Sequence, residues 1–284
     1  MAQPRNFIDV NGHKWAYLRK GKGEPLVIFH GFMCYADYFI YLAELLGDKF
    51  DIVIPDLPGF GFTPKLAKNT YENIAKSAKD FVEKLDLGRT DLLGVSLGGA
   101  IALEYAIDYP DKVKRLILNS PFWGKKSLHM GAVEDIEFDL LKLPDSVLNV
   151  LKTKLFFKEL ANLVLNFDKS AKRTFRTHER QTLEAVSLMD IDGNRELLYS
   201  LLNTDLSDKL KRIDKQTLLI SGLSDRVITP EVNENLRKII GGDLVKVKKA
   251  THEFVVKSPE KLVELIQDYV LEGKRSQEKD FIWE

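Results

Sequence analysis

Cysteine is almost absent from this sequence, and neither sign of charge is in excess. Cys34 is the only cysteine among 284 residues, which excludes an internal disulfide and leaves no cysteine cluster for zinc. Lys plus Arg and Asp plus Glu each number 42, so the formal net charge is zero. Such a chain has no overall field to attract nucleic acid or an anionic membrane. We therefore expect no metal and no nucleic-acid partner.

Long apolar runs are missing as well. No stretch reaches the roughly 18 apolar residues that a membrane-spanning helix requires. The segment Met1–Asn6 is polar and is not followed by an apolar stretch, so we expect no secretory signal and no membrane span. The expected location is cytoplasmic.

The most informative stretch is Gly94-Val95-Ser96-Leu97-Gly98. An apolar run at 90–93 leads into it, and a helix-compatible run at 100–106 follows it. A serine between two glycines occurs by chance in roughly one chain in ten of this length, so the pattern alone is weak evidence. Between a strand and a helix, however, it is typical of a sharp turn that exposes a nucleophilic hydroxyl. We predict Ser96 as a nucleophile.

Short apolar runs alternate with segments of helical periodicity along most of the chain. The pattern predicts a β-hairpin at 6–19, strands at 26–29, 51–54, 90–93, 114–119, 216–221 and 243–249, and helices at 35–47, 70–87, 100–106, 230–240 and 258–271. Repeated β-α-β units predict the α/β class, with a mostly parallel sheet covered by helices on both faces.

The alternation stops after Asn119 and resumes near residue 206. Between these points apolar residues recur at helical spacing, with no strand-like run. The predicted organisation is therefore a core formed by 1–120 and 206–275, with a helical cap inserted at 121–205. The charged tail at 276–284 is expected to be loose, unless Phe281 and Trp283 dock on the core.

Candidate site residues follow the predicted strands directly. The segment His30-Gly31-Phe32, Ser96, Asp225 and His252 each lie at such a point. The carboxyl ends of parallel strands meet at one edge of a sheet, where binding sites form. A serine nucleophile needs a base, and the base needs a carboxylate that orients it. The order serine, aspartate, histidine is the one expected for a triad on such a sheet.

Other residues compete for these roles. His30, Asp56 and Ser96 also form a histidine–aspartate–serine order, but that order belongs to β-barrel proteases, and this chain is not predicted to be a barrel. Cys34 is interpreted as a small residue of the core or of a pocket wall. The remaining rivals are other histidines and aspartates, namely His13, His129, His178, Asp205, Asp208 and Asp214.

Several motifs together resemble the α/β-hydrolase fold superfamily, in particular its members with a helical cap. They occur in the expected order over nearly the whole chain outside the cap. They are His30-Gly31, the segments 56–61, 94–99 and 222–230, and His252 with Ser258-Pro259-Glu260. Thr251 departs from the pattern, because relatives usually have glycine before the histidine.

The resemblance implies that Ser96 is the nucleophile, that His252 is the general base and then the general acid, and that Asp225 orients the imidazole. It also implies an oxyanion hole formed by the backbone N–H groups of Phe32 and Leu97. No metal and no organic cofactor is expected. By the same resemblance, serine at position 96 argues against the superfamily's haloalkane dehalogenases and epoxide hydrolases, which use aspartate there.

The leading interpretation is a serine hydrolase that acts on a small or medium apolar carboxylic ester. The alternatives are a carbon–carbon bond hydrolase of the meta-cleavage type and a ligand-binding receptor on the same fold. The partner is therefore a small apolar molecule, and the oligomeric state is left open. Predicted substrate-binding residues lie in the oxyanion segment and the cap, namely Phe32, Phe122, Trp123, Met130, Phe156 and Phe157.

Overall fold

The computed structural model describes residues 4–127, 181 and 184–284. Met130, Phe156, Phe157, His129 and His178 lie outside the described residues. The described strands are β1 (Asn6–Val10), β2 (His13–Gly21), β3 (Glu24–Phe29), β4 (Phe50–Pro55), β5 (Thr90–Val95), β6 (Val113–Asn119), β7 (Gln216–Gly222), β8 (Asp243–Val247) and β9 (Phe281–Trp283).

The described helices lie mainly between the strands. They are α1 (Ile40–Leu46), α2 (Tyr71–Lys84), α3 (Leu97–Asp108), α4 (Ile191–Leu202), α5 (Ser207–Leu210), α6 (Pro230–Ile240), α7 (Phe254–Lys257) and α8 (Pro259–Ile266), which continues as a π-helical turn at Gln267–Leu271. Single 3-10 turns lie at Ala36–Phe39, Pro110–Lys112 and Lys125–Ser127.

The strands form one sheet in the order β1-β2-β4-β3-β5-β6-β7-β8-β9. The central strands, from β4 to β8 in this order, are parallel. The hairpin β1–β2 pairs antiparallel with β4 at one edge, and β9 pairs antiparallel with β8 at the other. The predicted class, a mostly parallel sheet with helices, is confirmed.

Each face of the sheet has its own hydrophobic core, because successive side chains of a strand point to opposite faces. Leu92 of β5 packs in the first core, which α2, α3 and α6 cover. Leu93 packs in the second core, which α1 and α8 cover. Burial on both faces explains why the central strands are continuous apolar runs in the sequence.

The segment between β6 and β7 is joined near both of its ends. Gly124 and Asp205 form an isolated antiparallel bridge, and Lys126 Nζ lies 2.6 Å from Asp205 Oδ2. On the core side, β6 and β7 are neighbouring parallel strands. The segment between them therefore adds no strand to the sheet at this point. The helix α4 belongs to this segment, while the full extent of the cap stays a prediction.

Among the helices of the described residues, none combines the length and the hydropathy of a membrane-spanning segment.

The C-terminal tail differs from the expectation that 276–284 is loose. Phe281–Trp283 forms the edge strand β9, with Phe281 opposite Val247 and Trp283 opposite Val245. The indole N–H of Trp283 donates to the Ser276 carbonyl over 2.9 Å, and its ring stacks on Tyr269. A strand of three residues is too short for a periodic pattern, so only its two aromatic residues marked it in the sequence.

We predict that Phe281→Ala lowers the free energy of unfolding by about 3 kcal/mol, because it empties a buried site in the second core. Phe281 is 8% exposed, whereas its neighbour Ile282 is 40% exposed on the same strand. Ile282→Ala is therefore the matched control, with a loss below about 1 kcal/mol. The measurement is urea unfolding of both variants. Equal, negligible effects would mean that the tail does not dock.

Candidate active site

Ser96 lies at the sharp turn between β5 and α3. Its backbone has φ 51° and ψ −114°, a conformation that costs a residue with a side chain about 1–3 kcal/mol. Three backbone hydrogen bonds hold it. The Ser96 N–H donates to the Asn119 carbonyl over 3.0 Å, and the Ser96 carbonyl accepts from the N–H groups of Gly99 and Phe122, both at 2.9 Å.

The structure brings Ser96, His252 and Asp225 together in one hydrogen-bonded chain. His252 Nε2 lies 3.0 Å from Ser96 Oγ, and His252 Nδ1 lies 2.9 Å from Asp225 Oδ2. A carboxylate only accepts hydrogen bonds, so Nδ1 carries the ring proton and Nε2 is free to accept one from the serine hydroxyl. This is the arrangement that activates a hydroxyl as a nucleophile.

The Asp225 carboxylate is buried and held by its own loop. Its Oδ1 accepts the N–H groups of Val227, at 2.8 Å, and Ile228, at 3.0 Å. Ser120, which follows β6 and has a φ of 43°, also donates a hydrogen bond to it. Ser120 was not among the predicted residues. A lone serine after a strand carries no motif, and its position at the same sheet edge was the only available signal.

Burial and charge have opposite effects on the pKa values of Asp225 and His252. Burial alone would raise the pKa of Asp225, but the neighbouring His252 and the hydrogen bonds to the carboxylate lower that pKa overall. Burial alone would lower the pKa of His252, but the charge of Asp225 and its hydrogen bond raise it above the ordinary value of 6.5. The carboxylate therefore stays ionised and stabilises a protonated imidazole.

The two predicted oxyanion donors belong to segments next to Ser96, since a Cβ at Gly31 would lie 3.6 Å from the Ser96 Cβ. Leu97 is the first residue of α3, where a backbone N–H has no acceptor inside its own helix. Phe32 follows β3, and Gly98 lets the helix pass close to the end of that strand. A Cβ at Gly98 would lie 2.1 Å from the Phe29 carbonyl oxygen, so only glycine fits there. The close approach brings the first turn of α3 to the loop that carries Phe32.

His30 braces the loops and does not join the triad. Its Nε2 accepts the Leu57 N–H over 3.0 Å, and its Nδ1 lies 2.8 Å from the Gly31 carbonyl oxygen. Burial lowers the pKa of His30 to about 4, which keeps the ring neutral. Because Nε2 accepts a hydrogen bond, Nδ1 carries the ring proton and donates a hydrogen bond to the Gly31 carbonyl oxygen. The ring thereby joins the loop after β3 to the loop after β4.

Thr251 stands where relatives usually have glycine, but it requires no left-handed backbone. Its φ is not positive, and the close approach at this point is made by Gly222, where a Cβ would lie 2.5 Å from the Ala250 carbonyl oxygen. The Thr251 hydroxyl donates to Glu253 and accepts from Lys257 at 2.9 and 3.0 Å. Threonine therefore fits the turn that presents His252.

The rival aspartates are exposed and have other partners. Asp205 pairs with Lys126 at the base of the insertion, Asp208 with Lys211, and Asp214 with Lys215. His13 lies in β2, distant in the sheet order from β5, β7 and β8. Burial raises the pKa of the Cys34 thiol to about 12, so Cys34 is a poor nucleophile.

Among the predicted substrate-binding residues, Phe32 is half-buried and meets Phe60 edge to face, with 6.0 Å between ring centroids. Phe122 and Trp123 are buried in the first core at the start of the insertion, a position that suits packing between cap and core. Within the described ranges, no cluster of three or more His, Cys, Asp or Glu side chains could hold a metal ion.

The sequence is similar to those of known hydrolases. A family model described as alpha/beta hydrolase fold matches residues 24–259. A 2-hydroxy-6-oxo-2,4-heptadienoate hydrolase from Pseudomonas putida is 27% identical over 264 residues, which cover 88% of this chain and 90% of that protein. Lipase 3 from Moraxella sp. is 29% identical over 245 residues, covering 81% of this chain and 72% of the lipase.

Solved structures agree in fold. A thermophilic esterase from Thermogutta terrifontis has a TM-score of 0.78 at 21% identity, and the match covers 95% of this chain and 99% of that one. An enol-lactonase from Burkholderia xenovorans also has a TM-score of 0.78, at 17% identity, with coverage of 94% and 100%. At this identity the likeness concerns the fold alone.

We predict that the His252 ring titrates above its ordinary pKa of 6.5 and that Asp225→Asn lowers this pKa. Replacing the carboxylate removes the charge that stabilises the imidazolium, whereas the burial that destabilises it remains. The measurement is the chemical shift of the ring C–H protons against pH. Asp205→Asn and Asp214→Asn are the controls and should leave the titration unchanged. A shift in either control instead of Asp225→Asn would identify a different carboxylate partner.

Proposed function

The chain belongs to the alpha/beta hydrolase fold family, and from that premise we propose that it is a serine hydrolase acting on a small or medium apolar carboxylic ester through an acyl-enzyme on Ser96. The enzyme class follows from the family. The single observation that supports the serine mechanism is the hydrogen-bonded chain from Asp225 through His252 to Ser96, with contacts of 2.9 and 3.0 Å.

In the first half of the proposed reaction, Ser96 Oγ attacks the ester carbonyl carbon while His252 Nε2 takes the hydroxyl proton. Asp225 holds the ring in the required tautomer and stabilises the charge that forms on it. The tetrahedral intermediate then collapses. The C–O bond to the alcohol breaks, His252 returns the proton to the leaving alkoxide oxygen, and an acyl group remains on Ser96.

In the second half, water takes the place of the alcohol. His252 Nε2 removes a proton from the water molecule as the water oxygen attacks the acyl carbon. The second tetrahedral intermediate then breaks the bond between the acyl carbon and Ser96 Oγ and releases the carboxylic acid. The proton returns to Ser96 Oγ, which restores the enzyme. In both halves the N–H groups of Phe32 and Leu97 are proposed to stabilise the oxyanion, a contribution usually worth about 100- to 1000-fold in rate per donor.

The proposed preference for apolar substrates is supported by apolar side chains in the loops that carry predicted site residues. Leu223 and Val227, on either side of Asp225, are exposed apolar side chains. Phe32 and the exposed Phe62 lie in the loops after β3 and β4. Apolar side chains near polar catalytic groups suit the binding of an apolar ligand.

Carbon–carbon bond hydrolysis is the second candidate. It is favoured by one observation, the match of nearly the whole chain to the 2-hydroxy-6-oxo-2,4-heptadienoate hydrolase. Purified enzyme is therefore to be assayed with p-nitrophenyl butyrate and with a coloured dienol keto-acid. A much higher kcat/KM for the keto-acid would favour this second candidate over the ester hydrolase.

We predict that Ser96→Ala lowers kcat for p-nitrophenyl butyrate by about 1000-fold or more and leaves the fold intact, because the nucleophile is lost. Ser224→Ala is the matched control, since Ser224 is an exposed serine beside Asp225. It should keep kcat within about twofold. Retention of more than about a tenth of the wild-type rate by Ser96→Ala would contradict the proposed nucleophile.

We further predict that the insertion sets substrate choice and supplies no catalytic group. An apolar pocket distinguishes substrates by about 1–3 kcal/mol per methylene, so trimming a lining residue should change the preferred acyl length by a carbon or two. The measurement is kcat/KM from acetate to octanoate esters for Trp123→Ala, Phe156→Ala and Phe157→Ala. Unchanged profiles would remove these residues from the pocket. A uniform loss of kcat would mean that the insertion also takes part in catalysis.

A further inference from the structure

We propose that Arg5, which precedes β1, is a positioning residue for the oxyanion hole, because its guanidinium ties together the two loops that support the Phe32 N–H. The inference rests on the proposed function, which places that N–H in the reaction. Arg5 contacts no predicted catalytic group. Its role is to hold the loop after β3, residues 30–36, against the loop after β4, residues 56–63.

Arg5 pairs with two acidic residues, Asp56 at the start of the loop after β4 and Asp37 just past the loop after β3. Its Nη1 lies 2.9 Å from Asp56 Oδ2, and its Nη2 donates to Asp37 Oδ1. The side chains of Arg5, Asp37 and Asp56 are 9%, 12% and 0% exposed. A guanidinium in this buried position bridges two carboxylates with separate N–H groups, which the single ammonium of a lysine on its flexible stem does less well.

The Asp56 carboxylate also binds the backbone of both loops. Its Oδ1 accepts the Ala36 N–H over 2.8 Å, and its Oδ2 accepts the Phe62 N–H over 2.9 Å as well as the Arg5 contact. Gly61 allows the loop to fold tightly around the carboxylate, because a Cβ there would lie 2.5 Å from it. One buried carboxylate thus fixes both loops. It holds the first of them at Ala36, four residues after Phe32.

Aromatic rings from the same two segments enclose the guanidinium. Arg5 Cζ lies 4.5 Å from the ring centroid of Phe62 and 5.6 Å from that of Tyr35. Cations in such positions are attracted to the ring faces. Arg5 therefore contacts an acidic and an aromatic side chain on each side, and its removal would release both loops at once.

Charge explains why a neutral replacement would not leave the loops in place. Asp37 and Asp56 are buried close together, and Glu184 adds a further negative charge near Asp37. Burial raises the pKa of both aspartates, and Arg5 opposes that rise. Without Arg5, the carboxylates either repel each other or take up protons, and either change weakens the hydrogen bonds to the Ala36 and Phe62 N–H groups.

The chain contains a matched control for a purely structural effect. Arg115 pairs with Asp91 through two hydrogen bonds of 2.8 Å, and their side chains are 13% and 0% exposed. This pair lies near the amino ends of β5 and β6, at the sheet edge opposite the triad. Arg115→Met therefore disrupts a buried arginine–aspartate pair of similar exposure without touching the oxyanion loop.

The experiment compares Arg5→Met, Arg5→Lys and Arg115→Met, each shown by thermal unfolding to be folded at the assay temperature. Three quantities are measured: kcat and KM for p-nitrophenyl butyrate, and Ki for butylboronic acid, which forms a tetrahedral adduct on a reactive serine. Misplacing a catalytic group by about 1 Å costs up to about 100-fold. We expect Arg5→Met to lower kcat by about 10- to 100-fold and to raise Ki by a similar factor, because the tetrahedral adduct is bound more weakly. KM should stay within about threefold of the wild-type value.

Arg5→Lys should fall between wild type and Arg5→Met, and Arg115→Met should keep kcat and Ki within about threefold of wild type. Equal losses in Arg5→Met and Arg115→Met, or an unchanged Ki in a folded Arg5 variant, would overturn the positioning role. If Arg5→Met does not fold, Arg5→Lys alone decides the question by the same comparison. Wild-type enzyme that neither hydrolyses the ester nor binds the boronic acid would instead contradict the proposed function.

Discussion

The backbone conformation of Ser96 is the constraint on which the candidate site depends. A positive φ at a residue with a side chain is unfavourable, so the surrounding structure must hold it. The Ser96 N–H is bound by the last residue of β6, and the Ser96 carbonyl is bound by the first turn of α3 and by Phe122. All eleven residues of α3 from Leu97 to Ile107 are buried, so the helix cannot shift to relieve the turn. The hydroxyl is consequently presented to His252 by a rigid support.

Close approaches of backbone to backbone determine where the other loops lie. Gly98 brings α3 against the end of β3, and Gly222 brings β7 against the turn that precedes His252. Because the parallel strands end at one edge, these two contacts place the segments of Phe32 and His252 on either side of Ser96. A Cβ at either glycine would overlap a backbone atom that cannot move independently. The geometry of the site thus depends on Gly98 and Gly222, which have no side chain to prevent these close contacts.

The sequence predicted the elements that carry local signals. Continuous apolar runs marked the buried strands, and the helices predicted to start at residues 230 and 258 begin at Pro230 and Pro259. Contacts between residues that lie far apart in the sequence could not be predicted unless a motif marked both residues. The bridge from Arg5 to Asp56 spans 51 residues, and Ser120 meets Asp225 across two neighbouring strands. The helix predicted to reach residue 87 ends at Lys84. Asp86 adopts a left-handed backbone with φ 54°, which the sequence did not predict.

The support of the site extends from the core into the insertion. Asn194 of α4 donates to the Gly59 carbonyl over 2.7 Å, and Asn69 donates to the carbonyls of Pro58 and Gly193 at 3.2 and 3.0 Å. These contacts fix α4 to the loop after β4, the loop that His30 and Asp56 join to the oxyanion segment. The same loop therefore anchors both the segment that carries Phe32 and the helix α4. Since each of these amides satisfies backbone groups of a tight loop, replacing either would leave buried carbonyls without donors and loosen the two anchored elements together.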